Sequence, residues 1–180
     1  MIDELIYNDK KITWNYNKKI ELFFENAVLA REDKSNGYVV VKFKKNPWKE
    51  KYLYYDYDGN LIMESNIKEE YIWWKYNNDE KKIRIENLIS TLFSVKRKVI
   101  IVRYEFEKID KALVLNFDGD FLCDINPPKG FKLWYFSDDR EGIRVACDGT
   151  IEYADSYGRT SYWFLIDLET GKLTKQGLAY

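Results

Sequence analysis

The sequence predicts an all-β protein built from about five copies of a three-stranded antiparallel unit of roughly 30 residues. Three observations predict it. Aromatic residues make up 17 % of the chain, with 15 Tyr, 10 Phe and 6 Trp, types that suit a pleated, half-buried surface. Short turn dipeptides recur at intervals of about 30 residues: Glu25-Asn26, Asp58-Gly59, Glu86-Asn87, Asp118-Gly119 and Asp148-Gly149. Each lies between apolar, alternating runs, where Asp-Gly marks a hairpin because a type I′ turn needs φ > 0 at both central residues, with Asn a weaker substitute for Gly.

In chain order, the strands before the turns are IELFF, YLYYDY, KIRI, ALVLNF and GIRVAC. Those after them are AVLAR, LIMES, LISTLF, FLCDI and TIEYA. A polar loop then leads to a third strand rich in aromatic and β-branched residues, YVVVKF (38–43), YIWWKY (71–76), KVIIVRY (98–104), GFKLWYF (130–136) and SYWFLIDL (161–168). Similarity is stronger at twice the period, where Ile83-Arg84-Ile85 matches Ile143-Arg144-Val145 and Trp74 matches Trp134. Within residues 83–93, Ile85, Leu88, Ile89 and Leu92 also have helical spacing. The matching segment around Gly142 and Asp148-Gly149 disfavours that helix, so strand is the preferred reading and helix the alternative. The chain starts with a partial unit (ELIYN, KITWNY) and ends with a single first-strand segment at Leu173-Thr174-Lys175-Gln176. Pairing of these ends would make a sixth unit and close a propeller-like ring without an exposed edge. A β-sandwich and an antiparallel meander are the alternatives, and one domain spanning 1–180 is expected in each case.

Composition excludes several function classes. Lys and Arg number 29 against 30 Asp and Glu, a net charge of −1 that supplies no basic field for nucleic acid. No apolar run has the length of a membrane span or a signal peptide, so no membrane partner and a cytoplasmic location are expected. The chain has no histidine, which removes the commonest general base and metal ligand. Cys123 and Cys147 stand apart from each other and from other metal-ligating types, and read as reduced, partly buried thiols. The nine glycines form no phosphate-cradling loop and there is no G-x-S-x-G. No catalytic residue, cofactor or metal is therefore expected.

The acidic pairs Asp56/Asp58 and Asp138-Asp139 with Asp148 sit where turns favour Asp, and turn formation is the simpler reading of them. Trp74 and Trp134, whose recurrence follows the fold, are expected in the core. Trp73, adjacent to Trp74 on one strand, must face the other way, and Trp48 lies in the polar loop KKNPWKEK. Both are candidate partner-binding anchors, since Trp is enriched among interface hot spots. Asp79, Asp138, Asp139 and Arg140 flank the third strands. Equivalence of alternate units would place Asp79 and Asp139 on one side, an acidic patch that steers a basic partner.

The segments PPKGFKLWYFSDDREGIRVACDG and YGRTSYWFLIDLETGKLTKQGLAY resemble the C-terminal part of immunity proteins from bacterial polymorphic-toxin and contact-dependent inhibition systems. The resemblance covers the C-terminal part of the chain and carries over no binding residues. It implies a protein, monomeric when free, that binds one cognate toxin domain in a tight stoichiometric complex and blocks it sterically. A lectin-like or small-ligand-binding β-repeat protein is the alternative, motivated by one aromatic strand per unit. A glycosidase working with two carboxylates comes third.

Overall fold

The computed structural model describes residues 2–44 and 50–179, and the all-β expectation holds across them. Among the described residues seventeen strands follow one another in sequence. They are β1 (Asp3–Tyr7), β2 (Lys11–Tyr16), β3 (Lys18–Phe23), β4 (Ala27–Asp33), β5 (Tyr38–Lys44), β6 (Glu50–Asp56), β7 (Leu61–Asn66), β8 (Tyr71–Tyr76) and β9 (Asp79–Arg84). There follow β10 (Leu88–Ser94), β11 (Val99–Phe106), β12 (Ile109–Asn116), β13 (Phe121–Ile125), β14 (Phe131–Asp138), β15 (Ile143–Gly149), β16 (Ser161–Ile166) and β17 (Leu173–Leu178). No helix among the described residues is long and apolar enough to cross a membrane.

The strands form four antiparallel sheets, β1-β2-β3, β4 through β9, β10 through β13 and β14 through β17, each an up-and-down meander in sequence order. The chain divides into two compact units, Met1–Glu86 and Asn87–Tyr180. The expected closure of a ring through the chain ends is not found: β17 is hydrogen bonded to β16 inside its own sheet, and the sheet order describes no closed propeller.

The turn dipeptides divide into two kinds. Asp58-Gly59 and Asp118-Gly119 close the hairpins β6-β7 and β12-β13 as three-residue loops with only the Gly left-handed, at φ 87° and 91°. This is a type I turn ending in a left-handed Gly, with a register shift beside it, in place of the expected type I′ turn. The same bonds close both loops: the N–H of Gly59 donates to the Asp56 carbonyl and that of Gly119 to the Asn116 carbonyl. The flanking side chains are exchanged, Asn60 donating to Asp56 in one loop and Asn116 to Asp120 in the other. Asn26 and Asn87 also have positive φ, 65° and 53°, but they lie where the chain passes from one sheet to the next. Asn87 lies in the turn between β9 and β10, which belong to different sheets, so residues 83–93 form strand, turn and strand and not a helix.

Asp148-Gly149 is not a turn at all. Gly149 pairs with Phe131 as a strand residue, and the segment expected as strand TIEYA forms a single 3-10 turn over Ile151–Tyr153. A Cβ on Gly149 would stand 2.7 Å from the Phe131 ring, so the close approach of that ring requires Gly.

The doubled period is the dominant repeat. β2, β8 and β14 begin at Lys11, Tyr71 and Phe131, and each carries a Trp at its fourth position, Trp14, Trp74 and Trp134. In the first unit Trp14 is buried in a core with Ile12, Val39, Val41 and Leu53, and its indole N–H donates to the Tyr57 carbonyl at 2.8 Å. Trp74 is fully buried as expected. The second unit's core is formed by Ile101, Val114, Ile125, Leu133, Val145, Cys147 and Phe164. Burial pushes the Cys147 thiol up to about 12, so that core holds it as a neutral SH.

Candidate protein-binding surface

Trp134 departs from its two counterparts, and the cause is local. Along β14, Phe131 and Leu133 face the core while Lys132 and Trp134 face outward. Leu133 lies opposite Cys147, but Tyr135 lies opposite Ala146, so a bulge leaves Trp134 without a partner on β15. An unpaired residue on a bulged strand is re-aimed, and its backbone groups need other partners. The indole is 56 % exposed, which corrects the expectation of a core Trp. Its carbonyl accepts a hydrogen bond from the Arg103 guanidinium, which also reaches Asp110 at 3.2 Å. Burial lowers the Arg103 pKa, opposed by the Asp110 charge.

From Trp134 a row of rings crosses the outer face of the β14-β15-β16 sheet. The Trp134 and Tyr135 centroids are 5.1–5.2 Å apart from their neighbours along the row, Trp134 to Tyr135 at 5.2 Å and Tyr135 to Trp163 at 5.1 Å, both edge to face. Ala146 stands opposite both Tyr135 and Trp163, and its small side chain is buried between them. The Arg144 guanidinium lies 4.9 Å from the Trp163 ring centre and forms an ion pair with Asp139. Cation–π contact and the carboxylate together fix this arginine in place. The result is a pre-ordered shelf of two Trp, one Tyr and an Arg, the residue types that concentrate binding energy at protein interfaces.

The acidic residues beside the shelf act inward. The Asp138 side chain is 1 % exposed and ion-paired with Lys96 at 2.9 Å and Arg97 at 3.1 Å, while the Ser94 hydroxyl donates to it at 2.6 Å. Lys96 and Arg97 also donate to the Asp139 carbonyl, at 2.9 and 3.1 Å. Asp139 accepts from the N–H groups of Glu141 and Gly142 and pairs with Arg144, which shapes the turn into β15. Both carboxylates thus hold loops against strands. Arg140, at the tip of the same turn, is exposed and makes no hydrogen bond or ion pair among the described residues.

In the first unit, Trp73 is half-buried and faces away from Trp74 as the strand alternation requires, opposite Glu64 on β7 and Lys82 on β9. Asp79 is exposed at the start of β9, paired with Tyr76. It belongs to a different unit from Asp139, whose charge is already engaged by Arg144. Trp48 lies outside the described residues. Sequence reasoning missed Tyr135, Trp163, Arg144 and Arg103. The spacing of Trp14, Trp74 and Trp134 is visible in the sequence, but nothing in that spacing marks the bulge that exposes the third. Among the described residues no group of three or more Cys, Asp or Glu side chains is arranged to hold a metal ion.

No protein-family model and no curated protein matches this chain.

Proposed function

We propose that this protein works by binding another protein stoichiometrically, without turnover, and that the partner is a toxin domain whose active site it covers. The shelf formed by the exposed Trp134 and the half-buried Tyr135 and Trp163, braced by Arg144, is the observation that carries the binding reading. Exposing an indole costs solvation that burial against a partner recovers, and rings already locked edge to face lose little side-chain entropy on binding. The toxin identity of the partner rests on the resemblance of the C-terminal segments to immunity proteins. Repeated glycan pockets gain less support, because Trp14 and Trp74, the counterparts of Trp134, are buried and supply no wall.

Co-expression with the products of adjoining reading frames, followed by size-exclusion chromatography with light scattering, tests the proposal. A one-to-one complex in which the toxin domain loses activity supports it. Full toxin activity in the presence of excess protein overturns it.

A further inference from the structure

The second unit carries a groove of about 500 Å³ between the tip of the β11-β12 hairpin and the loop that precedes β14. Its charge is opposite to that of the chain as a whole. Lys108 and Lys111 stand on the hairpin side, Lys129 and Lys132 on the loop side. None of the four makes an ion pair among the described residues; Lys111 lies instead over the Phe106 ring at 4.9 Å. Of the two carboxylates at the groove, Asp110 is neutralised by Arg103, which leaves four lysines against Glu105 alone. Between the charges the walls are apolar, with Ile109 49 % exposed beside Pro127 and Pro128.

Both walls are fixed before anything binds. On the loop side, the Phe131 N–H donates to the Pro128 carbonyl and Gly130 takes φ 80°, a type II turn whose Gly carbonyl is held by the Thr150 N–H at 2.9 Å. The Tyr153 ring closes over Gly130, where a Cβ would stand 2.3 Å from it. On the hairpin side, Glu107 and Lys108 form a two-residue turn with φ 51° and 66°. This is the type I′ conformation that Asn and Gly occupy at little cost and other residues at about 1–2 kcal/mol each. The β8-β9 hairpin makes the same turn with Asn77-Asn78, so the fold has an inexpensive solution that this hairpin does not use. Four lysines without ion pairs among the described residues, set around the exposed Ile109 and two prolines, separate this surface from an ordinary solvated rim.

We propose that this groove takes an acidic, partly apolar segment of a protein partner, its carboxylates meeting the lysines and its apolar side chains meeting Ile109 and the two prolines. Lysines act as separate point charges that suit scattered carboxylates, whereas close phosphate recognition favours arginine forks. The groove is short and has no run of stacking rings to follow a polynucleotide. The inference rests on the protein-binding reading and names the partner segment's chemistry. Lys132 and Trp134 are alternate outward residues of β14, so groove and shelf are continuous.

The test is fluorescence anisotropy with a short fluorescein-labelled peptide rich in Glu and Leu, against the same peptide with Arg in place of Glu and an oligothymidylate of matched charge. The acidic peptide is expected to bind, to lose affinity at least about tenfold in Lys129→Glu/Lys132→Glu, and to weaken as salt rises. Lys108→Gly is expected to weaken it while leaving the protein folded and more resistant to urea, since Gly relieves the strained turn. Absence of acidic-peptide binding, indifference to the charge reversals, or tighter binding of the oligothymidylate overturns the inference. Peptide binding without any toxin complex would retain the groove and remove the toxin reading. A toxin complex indifferent to the charge reversals would do the opposite.

Discussion

Replacing Trp14 and Trp134 separately by Ala should give very different stability losses although the two occupy the same position of the repeat. Trp14 is 1 % exposed. A Trp buries about 200 Å², and at about 25 cal/mol per Å² its removal forfeits up to about 5 kcal/mol, the top of the ~3–5 kcal/mol range for large-to-small core changes. The lost indole N–H also leaves the Tyr57 carbonyl without that donor, which adds about 1 kcal/mol. Trp134 is 56 % exposed, so less than half of its area is withdrawn from water, and the loss should be about 1–2 kcal/mol. Its carbonyl, held by Arg103, is a backbone group and survives the substitution. Urea unfolding followed by far-UV circular dichroism measures both. Trp14→Phe, which keeps most of the ring volume, gives a readable intermediate should Trp14→Ala not fold. Equal losses for the two Ala variants would refute the claim that the bulge in β14 moves Trp134 out of the core.

Other perturbations probe separate parts of the account. Gly171→Ala should cost about 3 kcal/mol, because a Cβ there would lie 1.9 Å from the Asp124 carbonyl oxygen and φ is 71°. Gly158→Ala, at φ 78° with open space around it, should cost only about 1 kcal/mol, and equal urea midpoints for the two would refute the clash. Asp138→Ala should destabilise by about 2–3 kcal/mol, less than the ~3–5 of a fully buried pair because the Lys96 and Arg97 side chains keep 29 % exposure. A double-mutant cycle with Lys96→Ala reads the coupling directly, and additive losses would sink it. Glu21 is held down to about 2 by hydrogen bonds from Lys11 and then Lys19. A carboxyl lowered in the folded state stabilises above its ordinary value of 4.5, and that contribution is lost as pH falls through about 2. An NMR titration of Glu21 near 4.5 in the wild type, or no rise in Lys11→Gln, would contradict this.

Strand positions were legible in the sequence because alternation and aromatic content report directly on a pleated, half-buried surface. YIWWKY, KITWNY and FLCDI coincide with β8, β2 and β13 residue for residue. Pairing was not legible to the same degree. A dipeptide such as Glu86-Asn87 specifies a left-handed backbone position, and that position serves equally in a hairpin or in a step between sheets. Which one forms depends on where the following strand finds its core, a non-local matter. The same holds for TIEYA, where Tyr153 packs on Gly130 and Phe131, and this contact favours a 3-10 turn over a strand. On β8 the alternation argument placed Trp73 on the face opposite Trp74, whereas the exposure of Trp134 at the candidate surface depends on one extra residue in β14. Leu133-Trp134-Tyr135-Phe136 is apolar throughout, so no polar residue marks where the alternation breaks. The charged residues Asp138 and Asp139 read as surface acids in sequence, and only their placement against Lys96, Arg97 and Arg144 turns them inward.

Isothermal titration of the toxin domain from an adjoining reading frame into wild-type protein and into Trp134→Ala/Trp163→Ala asks whether the ring shelf of the second unit is where a protein toxin domain binds. One-to-one binding by the wild type is expected, with a loss of at least about a hundredfold in the double variant, since hot-spot residues each contribute about 2 kcal/mol or more and adjacent ones are not additive. Equal affinity for both proteins, with the variant folded, would contradict it.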